Sequence, residues 1–182
     1  AGGGLLTVTS EIAIPPAAVY DLTGALAEWF KAKNARLVVS LGGFPVQDRL
    51  EIDVPSVYGV GNTGEAVKLL REGGIEVMEE GFVAGIYPLL MKECSKRRIL
   101  AVAILAQSFL NYPDPGAAAS VITTLRKIVD VKVDVKPLLE KADEIRVKGR
   151  DLMKQAQGSM KGMQKMSEQE IPLMYLSLIH IS

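Results

Sequence analysis

Ile99-Leu100-Ala101-Val102-Ala103-Ile104-Leu105 is an unbroken apolar run of strand length, β-branched at Ile99, Val102 and Ile104. A strand with one face in water alternates polar and apolar side chains, so a run that is apolar throughout is buried on both faces. Arg36-Leu37-Val38-Val39-Ser40-Leu41 repeats the pattern earlier in the chain, β-branched at its centre and closed by Gly42-Gly43. Both strands are expected to be central and parallel to each other, in a sheet covered by helices on its two sides.

Working outward, Ile14-Pro15-Pro16 breaks the chain and opens a helix over residues 17–33. Val19, Leu22, Leu26, Trp29 and Phe30 recur there at helical spacing, and proline is tolerated in the first turn. Gly59, Gly61 and Gly64 punctuate the next stretch, and residues 63–71 read as a helix ended by Gly73-Gly74. Ile75-Glu76-Val77 is a short strand, and residues 86–96 are helical. Asn111-Tyr112-Pro113-Asp114-Pro115-Gly116 makes a turn in which Asp114 caps a helix running through Val129. The fold class expected over residues 1–134 is α/β, a three-layer α/β/α sandwich with a mainly parallel sheet.

From Val135 the pattern changes. Leu138, Ala142, Ile145, Gly149, Leu152, Ala156, Ser159, Met163 and Met166 alternate at spacings of four and three, a weak heptad seam on a long charged helix. Its first half reads as a surface helix on the sheet. Beyond Gln155 the residues are small, polar or Met, and Gly158 and Gly162 each weaken a helix by roughly 1 kcal/mol. Residues 135–168 are therefore expected to be a long helix passing into a tether.

Both ends read as unnatural. Leu5-Leu6-Thr7-Val8-Thr9 is strand-like almost at the first residue, Ala1. A lead-in segment is expected to be missing, leaving an exposed apolar patch beside residues 5–9. Leu176-Ser177-Leu178-Ile179-His180-Ile181-Ser182 matches what a common sequencing-library transposon end encodes in one frame, so residues 176–182 read as adaptor read-through.

Composition bounds the function. The chain of 182 residues suits one domain, with 48% apolar and 23% charged residues. Acidic and basic residues balance at 21 each, so no global field points to nucleic acid or an anionic membrane. No signal peptide opens the chain and no apolar run is long enough to span a bilayer, so the expected compartment is cytoplasmic. A single cysteine, Cys94, excludes an intrachain disulfide and a thiolate zinc cluster. It lies in a helical pattern without a histidine beside it and reads as a buried structural thiol.

No catalytic constellation emerges. The one histidine, His180, falls in the adaptor-like stretch, which leaves no histidine base. No metal-ligand spacing is present, so neither a metal nor a cofactor is expected. Gly42-Gly43 and Gly59-x-Gly61-x-x-Gly64 have the outline of phosphate loops, but the acidic residue that should follow is matched only loosely by Glu79 or Glu80. Adjacent glutamates point apart and are usually solvated.

Several segments together resemble the proteasome assembly chaperone family in its archaeal branch. They are Ser10-Glu11-Ile12-x-Ile14-Pro15, Leu41-Gly42-Gly43, Val57-Tyr58-Gly59 with Asn62, Glu80-Gly81-x-Val83-x-Gly85 with Leu89-Leu90-Met91, and Phe109-Leu110-Asn111-Tyr112-Pro113-Asp114-Pro115. The last is the most specific, and the family's glycine-rich N-terminal strand-loop-helix is absent. The resemblance implies a nucleoside phosphorylase-like sandwich without that enzyme's activity. It implies a non-enzymatic, homo-oligomeric protein that binds proteasome α-subunits or the core-particle α-ring. It also gives residues 169–175 a meaning: Leu173, Met174 and Tyr175 become candidate partner-binding residues, a hydrophobic-Tyr-X ending whose apolar and phenol groups enter a pocket while a terminal carboxylate meets a lysine. The rival readings are an enzyme or binder acting on a small nucleotide or nucleoside ligand at the strand ends, and a scaffold for another partner.

Overall fold

The structure is a computed structural model that describes residues 4–12, 14–80 and 85–151. After a short 3-10 turn at Pro16–Ala18, the elements run α1 (Val19–Ala32), β1 (Leu37–Pro45), a 3-10 turn at Arg49–Glu51, β2 (Val57–Gly61), α2 (Gly64–Glu72), β3 (Glu76–Val77), α3 (Ile86–Lys96), β4 (Leu100–Ser108) and α4 (Pro115–Leu125). A further helix, α5, occupies residues 136–151 of the described chain.

The sheet has the order β1-β4-β2-β3. Strands β1 and β4 are parallel, as are β2 and β3, while β2 runs antiparallel to β4. Residues 101–106 of β4 are all buried, and their alternation sorts the helices into two layers. Ala101, Ala103 and Leu105 face α1 and α3, meeting Ala27, Leu90, Met91 and Cys94. Val102, Ile104 and Ala106 face the other way, onto Ala66 and Leu70 of α2 and onto Ala117 and Val121 of α4. Fully burying a side chain such as Leu70 or Ile104 contributes about 1.5–3 kcal/mol, so a doubly covered strand anchors both layers at once. This is the expected mixed α/β sandwich.

Four expectations are corrected. Strand β1 lies at an edge of the described sheet, not at its centre; apolar residues on both faces report cover by helices and say nothing of a neighbouring strand. Gly42 and Gly43 do not close β1 but lie within it. The stretch around Gly59 and Gly61 is itself strand β2, made so by packing rather than by propensity. A Cβ on Gly59 would stand 2.8 Å from Leu70 Cδ2, and one on Gly61 would stand 2.7 Å from the Val67 nitrogen, so α2 lies directly on the backbone. Finally, the strand-like residues 5–9 form no strand. Leu5, Leu6 and Val8 are exposed, because no described strand edge pairs with them.

Helix ends follow local rules. Thr63 caps α2 by accepting from the Ala66 N–H at 3.2 Å, and Gly74 beyond its C-terminus takes a left-handed φ of 63°. Asp114 caps α4 as expected, although that helix stops at Leu125 rather than Val129.

Candidate functional site

Strands β1 and β4 stay in register to their last pair, Pro45 opposite Ser108, so the loops that follow them leave the sheet at one end. Antiparallel β2 begins at that same end, with Val57 opposite Ala106. Three loop ends and the N-terminus of α4 therefore converge, and an ion pair holds them. Arg49 Nε donates to Asp114 Oδ2 at 2.7 Å and Nη2 donates to Oδ1 at 2.9 Å. The side chains are 7% and 6% exposed, so neither charge is tolerable alone.

The remaining valences are also filled. Asp114 accepts from the Ala117 N–H at 2.9 Å and the Phe109 N–H at 3.2 Å, while Arg49 Nη1 donates to the Ile52 carbonyl at 2.6 Å. The guanidinium carbon stands 5.2 Å from the Phe109 ring centroid, in cation–π range. A Cβ on Gly116 would lie 2.9 Å from Arg49 Nη2, which explains a glycine two residues past the cap. The family-specific segment Phe109–Pro115 is thus a clamp that orders its own loop. It leaves Leu110 and Tyr112 exposed at 72% and 61%.

Helix α5 lies against this clamp. Gly149 lets it seat on Leu50, whose Cδ2 would be 2.8 Å from an added Cβ, and Ala142 reaches Gly116. Arg146 pairs with Asp53 and with Asp143, and Arg150 Nη2 donates to the Leu50 carbonyl at 3.3 Å. Between α5, α4 and residues 49–55 runs a groove of about 610 Å³, with Val54, Phe109, Leu139 and Val147 on its walls.

The nucleotide-like features are occupied by packing. Besides Gly59 and Gly61, a Cβ on Gly42 would meet the Tyr87 ring at 2.8 Å, and one on Gly43 would meet Ser108 Oγ at 2.5 Å. Asn62 Nδ2 donates to the Ile99 carbonyl and its Oδ1 accepts from the Ala101 N–H, both at 2.9 Å, so the side chain extends the sheet. A shallow concavity of about 680 Å³ is lined by Phe44, Tyr58, Arg71 and residues 76–80. Its Glu79 carboxylate lies 3.6 Å from Arg71 and faces solvent. Cys94 is buried, and desolvation pushes its thiol pKa up, away from nucleophilic use. Among the described residues no group of three His, Cys, Asp or Glu side chains is placed to hold a metal ion, and no helix is long and apolar enough to cross a membrane.

The sequence-predicted partner residues Leu173, Met174 and Tyr175 lie outside the described residues. Arg49 went unremarked in the sequence. A lone arginine beside Asp48 looks like any surface charge, and its partner is far along the chain.

The profile of the PAC2 family matches residues 1–153. An uncharacterized protein of Methanocaldococcus jannaschii is 29% identical over 164 residues, which are 90% of this chain and 65% of that protein. The crystal structure of Pyrococcus furiosus PbaA, described as an archaeal homolog of proteasome-assembly chaperone, aligns with a TM-score of 0.71 at 28% identity, covering 90% of this chain and 68% of PbaA. Pyrococcus furiosus PbaB, described as an archaeal proteasome activator, shares the fold, with a TM-score of 0.67 at 20% identity over 79% of this chain and 62% of its own. With a family profile covering most of its length, this chain belongs to the PAC2 family and is a homologue of archaeal relatives of the proteasome-assembly chaperones.

Proposed function

We propose that this protein is a non-enzymatic, cytoplasmic factor that binds proteasome α-subunits or the core-particle α-ring, assisting assembly or capping the ring. The observation that carries this reading is the kinship with PbaA over 90% of the chain. The filling of the glycine-rich segments by side chains and backbone supports it against a nucleotide-handling enzyme. Leu173, Met174 and Tyr175 are the partner-binding residues in this reading, with the chain acting as a homo-oligomer so that several tails engage one ring. In this reading the tail follows residues 135–168, whose first part packs on the fold as α5, and its terminal carboxylate is available only in a chain that ends one residue after Tyr175.

Calorimetry against the α-ring tests it with three chains: the full 182 residues, a version ending at Leu176, and that version carrying Tyr175→Ala. A charge-assisted hydrogen bond is worth about 1.5–3 kcal/mol, so the version ending at Leu176 is expected to bind roughly tenfold or more tighter than the full chain. Tyr175→Ala is expected to lose that gain. Equal affinities would remove the tail from the reading, and no binding by any of the three would remove the ring.

A further inference from the structure

We propose that the concavity beside β3 binds a lysine- or arginine-bearing segment of a partner protein, holding its cation between an aromatic wall and a carboxylate rim. The wall is built by strand register. Phe44 stands opposite Gln107 and Tyr58 opposite Leu105, and residues paired across strands, or two apart on one strand, share a face of the sheet. Both rings therefore rise on the Leu105 face and meet over β4, their centroids 5.7 Å apart and their planes tilted by 58°. Phe44 packs on the core cluster that includes Leu105, so the wall is set before any ligand arrives. Both aromatic residues are only half-buried.

The rim follows from the same pairing. Glu76 lies opposite Tyr58 and shares its face, whereas Val77, opposite Gly59, packs with Leu70 on the other side. The Met78 N–H donates to the Gly59 carbonyl at 2.9 Å, which ties the chain after β3 to β2. Glu79 and Glu80 then continue around the concavity. Three exposed carboxylates, on Glu76, Glu79 and Glu80, thus stand against one guanidinium, that of Arg71. Arg71 and Glu79 are 3.6 Å apart with side chains 64% and 81% exposed, a pair worth little in water. It yields readily to an incoming cation and leaves the rim in excess.

This combination selects one chemistry. The face of an aromatic ring attracts an ammonium or guanidinium within about 6 Å. The methylene stem of Lys or Arg covers apolar surface, here that of Phe44 and Met78, while its charge reaches outward to the carboxylates. A phosphate meets repulsion from three carboxylates, and a wholly apolar segment would desolvate them without an answering charge. Acidic and basic residues balance over the chain, so the attraction belongs to this concavity and not to a global field. Each contact is individually weak, which suits a segment carrying several cations better than a free amino acid. The site goes beyond the proposed function and needs neither the α-ring nor Tyr175.

Fluorescence anisotropy of a dye-labelled peptide alternating glycine with arginine tests it on the full chain, with a glycine–glutamate peptide alongside. The arginine peptide is expected to bind and the glutamate peptide not. Glu79→Gln with Glu80→Gln is expected to weaken binding roughly twofold to fivefold for each charge removed. Phe44→Leu keeps every charge and is expected to weaken it about twofold to fivefold by removing a ring face; Tyr58→Leu, farther from the core cluster, is expected to do the same. Glu140→Gln with Glu144→Gln removes two exposed charges on α5, outside the concavity, and is expected to change nothing. No binding of the arginine peptide, equal weakening by the α5 pair, or full affinity in both leucine variants overturns the site. Peptide binding by a chain that ignores the α-ring upholds the site and overturns the proposed function; α-ring binding without peptide binding does the reverse.

Discussion

Arg49 and Asp114 meet as a two-pronged pair, at 2.7 and 2.9 Å, and through it the loop after β1 grips the N-terminus of α4. Their environments are unequal. Without Arg49, Asp114 keeps the Ala117 and Phe109 N–H groups; without Asp114, Arg49 keeps a single carbonyl. Asp114→Ala is therefore expected to cost about 3–5 kcal/mol in urea unfolding, and Arg49→Met less. The double variant is expected to lose less than the sum of the two. Additive losses would show that the pair is not coupled.

Glycines in β2 serve packing, and this sets an order of effects. Gly61→Ala drives a Cβ to 2.7 Å from the Val67 nitrogen, and rigid backbone cannot yield; about 1–3 kcal/mol of destabilisation is expected. Gly59→Ala meets the ends of Leu70 and Ile75, which shift more cheaply. Gly64→Ala enters open space, with a change within about 0.5 kcal/mol expected. Thermal melts of the three variants check the ranking, and a harmful Gly64→Ala alongside a harmless Gly61→Ala would reverse it.

Acid sensitivity is expected to reside partly in Glu93. Lys96 first and Arg97 second, by hydrogen bonding, hold its carboxyl below the ordinary 4.5, and Arg97 also reaches Glu28 on α1. A depressed carboxyl stabilises the fold above its unfolded value, and that contribution is lost as pH falls through the lower, folded value. Melting temperature followed from about pH 5 down to about pH 3 is thus expected to fall less steeply in Glu93→Gln than in the parent. Parallel curves would show that this exposed network contributes nothing.

Cys94 offers a probe of global unfolding. Its side chain has no exposed surface, and burial raises the thiol above its ordinary 9.0. Labelling by a thiol reagent is expected to be negligible in the native protein and complete in denaturant, its rate following the unfolded fraction. Rapid labelling without denaturant would mean that α3 opens locally.

Wherever the code is local, the chain could be read directly. The apolar run ending at Leu105 announced a doubly covered strand. Asp114 before Pro115 announced a helix cap, and the span of α3 matched its sequence reading to the residue. Periodicity, capping and proline placement depend on neighbours a few positions apart, and the linear sequence lists those. Glycine was misread because it is ambiguous: Gly59 and Gly61 fit a tight turn and a tightly packed strand equally well, and the deciding atoms belong to Leu70 and Val67 on another element.

Pairing is where folding had to decide. That β1 flanks β4 on one side while β2 runs antiparallel on the other depends on strand edges, which side-chain patterns do not encode. The partnership of Arg49 with Asp114, and the groove α5 forms over Leu50, join residues far apart in sequence. A buried charge is stable only beside its counter-charge, and a groove exists only between two surfaces. Layered α/β character was therefore a property of the chain, whereas the clamp and the cleft came into being only when distant segments were brought together.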